Sequence, residues 1–407
     1  MKRLYLLYLA GLMAASCEIL DDDIDKHASD RAPVPLSEVA QVLANIPLGA
    51  DQMGEVFGAV SSSVDNGYDE EYMMYDLFGT PGAGVGDDRI TKSKAPVLSG
   101  IPLRDMIADY VRTQAPTKSE SGIDDPSEWL ERLAESDIQI YWPFSEAWDG
   151  EELPVITFDP EDDSEVNIGY RMIKDSEGFR RIEEVLVDEA VAMKTPVWVV
   201  NRNTDAGYTT LEMLRREDPD WGEGGGSIIV GSGSGTKSVS KVQSGGTVRS
   251  LILKDFTMNR NYDSWFAGAS EFFVKVGAFE DFTATTEAEL KLFTPSITDF
   301  LIVVRRNQKG IPVPFNAIVF SEWTDLVDSF AFMIIEDDGG TIKEWNCTAF
   351  VRVESKSYGV ELKIPYRSSD DIVWRGTLGS KWFEAYSDIK GHFGDVDLTF
   401  ELIEKKL

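Results

Sequence analysis

The residues of this chain that could do chemistry are mostly carboxylates. Acidic loops recur at Asp159-Pro160-Glu161-Asp162-Asp163, Asp218-Pro219-Asp220 and Glu336-Asp337-Asp338. Oxygen-rich turns suit calcium, which takes about six to eight oxygen ligands. Asp337 and Asp338 are the first choice of ligands. Solvated acidic turns are the alternative, because no loop completes the Asp-x-Asp-x-Asp-Gly pattern and Gly222 follows Asp218-x-Asp220 where a third acid would stand. Paired carboxylates could also cleave glycosides, but acids are too numerous for one pair to stand out. Histidine chemistry has little material, with only His27 and His392 in the chain. His-Glu-x-x-His is absent, and no Gly-x-Ser-x-Gly elbow supplies a serine for a triad built on His392. The Gly231–Ser238 stretch is not a phosphate-cradling loop, since Thr236 separates Gly235 from Lys237. The aromatic run Tyr141-Trp142-Pro143-Phe144-Ser145-Glu146-Ala147-Trp148 offers Tyr141, Trp142 and Trp148 as a sugar-stacking platform, or else as the edge of a core. Trp374 and Trp382-Phe383 carry the same two readings.

Charge and cysteine count narrow the field. Against 71 Asp and Glu stand 39 Lys and Arg, a net charge of −32 over 407 residues. Nucleic-acid phosphates would be repelled, so no nucleic-acid partner is expected. With 43% hydrophobic residues the chain can still bury cores. Its two cysteines cannot form a disulfide scaffold. Lys2 and Arg3 precede an apolar run from Leu4 to Ala15, too short for the ~20 residues that span a bilayer, so it reads as a secretory signal. Small residues close it directly before a cysteine, in Met13-Ala14-Ala15-Ser16-Cys17. This segment resembles the lipobox of bacterial lipoproteins. The resemblance implies cleavage before Cys17, acylation of Cys17, and a membrane partner reached through the lipid. The acidic run Glu18-Ile19-Leu20-Asp21-Asp22-Asp23-Ile24-Asp25 resembles export signals of Bacteroidetes surface lipoproteins, which implies display on the outer face of the outer membrane. Cys347 then has no disulfide partner, and in Trp345-Asn346-Cys347-Thr348-Ala349-Phe350-Val351 it reads as a small buried hydrophobe on a strand.

These groups need elements to position them. Composition and charge both shift near residues 226–246, a Gly- and Ser-rich stretch that reads as a linker. From Glu18 to Gly226 there are 46 acidic and 17 basic residues, net −29; from Ser227 onward there are 25 and 20, net −5. The expected organisation is a signal peptide over 1–16, an acidic tether over 17–34, an α+β domain over 35–225, the linker over 226–246, and an all-β antiparallel sandwich over 247–407.

Leu36 to Ile46 reads as a helix with Ser37 as N-cap. Leu103, Met106, Ile107, Tyr110 and Val111 repeat at helical spacing after Pro102. Asp125-Pro126 opens another helix, and a short one is expected over Thr209–Arg216. Strands are expected at Ile138–Trp142, Pro154–Phe158, Val166–Ile173 and Pro196–Val200. The second half reads as strand after strand: 248–256, 271–279, 288–293, 300–305, 317–320, 329–335, 347–353, 358–364 and 396–403. Asp337-Asp338-Gly339-Gly340 carries the signal of a hairpin turn.

The segments Pro154–Phe158, Glu184–Glu189 and Pro196–Asn201 resemble uncharacterised secreted lipoproteins of Bacteroidetes over roughly residues 35–205, which implies no particular activity. Ser270-Glu271-Phe272-Phe273-Val274-Lys275-Val276, with the acidic loop ending Ile335-Glu336-Asp337-Asp338-Gly339, resembles the calcium-dependent lipid-binding sandwiches of the synaptotagmin type. Glu271 departs from the usual Asp-Pro start, and the loop lengths differ. The reading these features support is a membrane-anchored, surface-exposed lipoprotein with a non-enzymatic binding or structural role toward a glycan or protein. An extracytoplasmic hydrolase using carboxylates is the alternative.

Overall fold

The computed structural model describes residues 33–79, 90–97, 99–113, 123, 125–162, 164–174, 179–203, 208–217, 247–280, 282–384 and 388–406. Cys17, the acidic run behind it, Asp163, Asp218–Asp220 and the Gly/Ser-rich stretch lie outside these residues. The architecture is a helix-containing α+β region followed by an antiparallel sandwich.

In the first region, helices α1 (Leu36–Asn45), α2 (Ala50–Asp65), α3 (Met74–Leu77), α4 (Leu103–Thr113) and α5 (Pro126–Ala134) accompany a six-stranded sheet. Its strands are β1 (Glu71–Met73), β2 (Ile138–Tyr141), β3 (Val155–Phe158), β4 (Asn167–Lys174), β5 (Arg180–Val187) and β6 (Val197–Arg202), in the order β1-β2-β6-β3-β4-β5. Among the described strands of this sheet, only the β3–β6 pairing is parallel. The expected spacing of α4 holds, with Leu103, Ile107 and Val111 buried on one face. Asp125 caps α5 by accepting from Ser127 N and Glu128 N. Ser37 does not cap α1, which already begins at Leu36 behind Pro35.

Alternation along β6 explains the layering. Trp198 and Val200 join the helices in one core, while Val197 and Val199 face the other way. That second face is covered by Trp265 and Phe266, two aromatics from the loop between β7 (Thr247–Met258) and β8 (Ser270–Ala278). Trp265 Nε1 donates to Glu165 O at 2.9 Å, and Asn201 Nδ2 donates to Phe266 O at 2.9 Å. Arg306 Nε reaches Glu189 at 2.8 Å. Residues Val34 to Leu407 thus form one compact unit.

The remaining strands are β9 (Ser296–Val304), β10 (Val313–Trp323), β11 (Ser329–Glu336), β12 (Ile342–Val353), β13 (Lys356–Arg367), β14 (Asp371–Gly379), β15 (Ile389–Phe393) and β16 (Val396–Lys406). Two four-stranded antiparallel sheets, β10-β7-β16-β15 and β14-β11-β8-β9, enclose a core that includes Phe256, Phe272, Phe332 and Phe400. The β12–β13 hairpin covers the outer face of the second sheet through Ala349, Leu362 and Ile364. With both its faces covered, β11 is buried along its whole length.

Two expectations fail here. Residues 288–293 hold no strand: Thr286 Oγ1 accepts from Glu289 N and starts a short helix, Glu287–Leu290. Asp337–Gly340 is not a hairpin turn, because β11 pairs with β8 and β14 while β12 pairs with β13. The segment carries the chain out of one sheet to a separate hairpin.

Candidate functional site

The β7–β8 loop does more than fasten the two regions together. It places Asp263 beside Glu271, at the start of β8, and Glu336, which ends β11. One carboxylate oxygen from each lies within 4.8 Å of the others. The positions follow from strand pairing: Glu336 stands opposite Phe272, and Asp337 N donates to Glu271 O at 2.9 Å. The loop is held by Ala269 N, which donates to Asp69 Oδ2 at 2.8 Å. Gly268 turns there with a φ of 132°, and a β-carbon would meet Asp69 Oδ2 at 3.2 Å.

Beside Asp263 and Glu271 opens a cleft of about 480 Å³ between the two regions. Asp69, Asp159 and Glu161 line it from the first region; Asp338 and Asp371 join Asp263 and Glu271 from the sandwich. Among the described residues Arg202 is the one cation in the lining, and it is already engaged by Asp137 at 2.8 Å and Glu161 at 3.0 Å. A concave wall of this charge focuses a negative potential.

Burial pushes the carboxyls of the cluster upward. Glu336 is fully buried, and its carboxyl is held far above the carboxylate range by burial and then by Asp263 beside it. Asp263 is raised by burial, against a contact with Glu336 that lowers it, so a proton shared by this pair rests on Glu336. Asp338, exposed at the cleft wall, is pushed up to about 7, with partial loss of solvent and then Asp263 as the causes. Apart from that shared proton, among the described residues no hydrogen-bond donor reaches either oxygen of Glu336, or Oδ2 of Asp263. A buried carboxylate without donors is costly unless a cation compensates it.

The trio fits a hard divalent cation. All its donors are carboxylate oxygens, and oxygens sharing one calcium at about 2.3–2.6 Å each stand no more than ~5 Å apart. Of the two residues expected from the sequence, Asp338 lies in the cleft wall. Asp337 does not: strand alternation turns it away, to 3.6 Å from Arg367 Nη1. Its carboxyl is pushed up to about 7, with burial the main cause and Arg367 opposing it. The trio itself was missed. Asp263 lies in an Asn-Tyr-Asp-Ser-Trp loop with no motif, and the signal available for Glu336 was its place directly after the apolar run Phe332–Ile335.

The expected stacking platform does not form. Tyr141 and Trp142 are 1% exposed inside the cores, and the half-buried Trp148 packs on Phe57 and Trp142. Trp374 packs edge-on to Phe393 against the sandwich core, and Trp382, exposed, packs edge-on to Phe383. His392 sits exposed on β15 with Nδ1 2.6 Å from Asp397. Cys347 is a half-buried free thiol on β12, packed among apolar neighbours.

No family model matches the chain, and no curated protein is similar to it at a significant level. A solved Drosophila structure described as C2-DSL-EGF1 is 13% identical, over 39% of this chain and 67% of that one, with a TM-score of 0.17. A likeness so slight carries no argument. Among the described residues no helix is long and apolar enough to cross a membrane.

Proposed function

We propose that this chain is a lipid-anchored outer-membrane lipoprotein, facing outward, that acts by binding rather than catalysis, and that its acidic cleft holds calcium and meets a glycan or protein partner. The lipobox ending at Cys17 supports the anchor, and the acidic residues behind it support outward display. A lipoprotein cysteine carries more than one acyl chain, which gives stable rather than marginal anchoring.

The observation that carries the cleft reading is Glu336, wholly buried and aimed with Asp263 and Glu271 at one point. Those three would hold the ion, with Asp338 at the wall. Calcium bound there would neutralise the cluster and offer its outward positions to oxygens of a partner.

The full chain carrying Cys17→Ser, melted in calcium and in EDTA, tests this. Calcium at a hundred times its Kd adds ~2.7 kcal/mol of stability; equal melting temperatures contradict the site. Retention on a glycan or protein array in calcium, lost in EDTA, is the expected binding result. Turnover of a polysaccharide or peptide panel contradicts the non-enzymatic reading and favours the carboxylate hydrolase. Cys17→Ser should also release the chain from membrane fractions, and persistence there contradicts the anchor.

A further inference from the structure

β5 forms one edge of the six-stranded sheet, paired with β4 on its inner side. It reads Arg180-Arg181-Ile182-Glu183-Glu184-Val185-Leu186-Val187, and its first five residues are all exposed. Edge strands are commonly blunted by charged side chains, a proline or a bulge, and the charges of β5 bar a like-charged edge but are complementary to a second, antiparallel copy. β5 has no proline, and its register against β4 runs unbroken from Asn167↔Val187 to Lys174↔Arg180. Arg180, Arg181, Glu183 and Glu184 make no ion pair among the described residues, and Arg180 faces the like charge of Lys174. Ile182 and Leu186 lie on one face with Ile168, exposed by 38%, 72% and 38%.

We infer that β5 is a self-docking edge: two copies of the chain pair β5 with β5, antiparallel, about a two-fold axis at Ile182. Side chains facing each other across an antiparallel pair share a face, so the copies can register only on positions of equal parity. With the axis at Ile182, Arg180 faces Glu184 of the partner subunit and Arg181 faces Glu183 of the partner subunit. Symmetry makes each contact twice. Moving the axis to Arg181 sets that arginine against itself, and moving it to Glu183 or Glu184 does the same for a glutamate. The charge order therefore specifies one register. The apolar stripe of Ile182, Ile168 and Leu186 loses water on one face, while the strand edge gains main-chain hydrogen bonds. Exposed ion pairs contribute little each, so the dimer is reversible and weakens with salt.

Sedimentation of the full chain carrying Cys17→Ser tests this. A monomer–dimer equilibrium that shifts toward monomer in high salt is expected. Glu183→Arg with Glu184→Arg makes the edge wholly basic, and Arg180→Glu with Arg181→Glu makes it wholly acidic. Each variant alone should lose dimer about tenfold or more by like-charge juxtaposition, with an unchanged circular dichroism spectrum. Mixed one to one, the two variants should restore it. A wild-type chain that stays monomeric overturns the inference, as do charge-reversed variants that still dimerise alone, or a mixture of folded variants that stays monomeric.

Discussion

Two buried glutamates in this molecule meet opposite fates. Glu71, on β1, is 1% exposed, and Lys92 Nζ lies 3.1 Å from it. Asn203 Nδ2 donates to it at 2.8 Å, and Lys92 is itself fully buried and bonded to Asn203 Oδ1 at 2.8 Å. Glu336, on β11, is equally buried, and the charged groups that act on it are carboxyls, those of Asp263, Asp338 and Glu271. The first region supplies its buried anion with a cation of its own. At the seam Arg306 lies near Asp263 and Arg260 near Asp371, but among the described residues no cation pairs with Glu336, and the proposed calcium ion would supply that charge. Burial alone therefore does not mark a site; burial without an internal counter-charge does.

The largest expected effect breaks the satisfied member of the comparison. Lys92→Met should cost about 3–5 kcal/mol in urea unfolding, because it leaves Glu71 buried without its charge partner. Adding Glu71→Gln should recover most of that loss. Next comes Trp265→Ala, which empties a fully buried ring site beneath the loop that bears Asp263. It should cost ~3–5 kcal/mol and weaken calcium binding with it.

Glu336→Gln should do the reverse of Lys92→Met. In EDTA it should leave stability unchanged or higher, since it removes an uncompensated buried carboxyl, and it should abolish the calcium-induced rise in melting temperature. A loss comparable to that of Lys92→Met would show that the two glutamates are alike and break the contrast.

The pH dependence sharpens the same point. Asp338 has its folded pKa raised from 3.8 to about 7, so between these values the folded chain binds more protons than the unfolded chain. Stability in EDTA should therefore fall as pH rises through about 4 to 7, and continue to fall above that range because folded Glu336 keeps a proton that the unfolded chain has released. Melting temperatures over a pH series check this, and Glu336→Gln should flatten the upper part. The smallest effect is expected at the rim: Asp371→Asn should shift stability within about 0.5 kcal/mol while reducing retention of the partner.

Much of this architecture was legible from residue order, for physical reasons that differ by element. α4 and α5 bury one clean stripe each, so their period is visible. α2 has a similar stripe in Met53, Val56, Val60 and Ser63, but Gly54, Gly58 and three serines dilute its helical signal. β5 hides because four of its first five residues are charged, as an exposed edge permits. The aromatic run misled because β2 lies inside the sheet, between β1 and β6, where both its faces are covered. For the site, the acidic run at Glu336–Asp338 was visible, but which carboxylate is buried depends on partners far away in sequence. Asp263 reaches Glu336 across more than seventy residues, and no local pattern encodes that meeting.

The most direct test is a crystal structure of the chain grown with calcium. The account predicts one ion bridging carboxylate oxygens of Asp263, Glu271 and Glu336 at about 2.3–2.6 Å. A structure at saturating calcium in which Asp263 and Glu336 share a proton, with no ion between them, would contradict it.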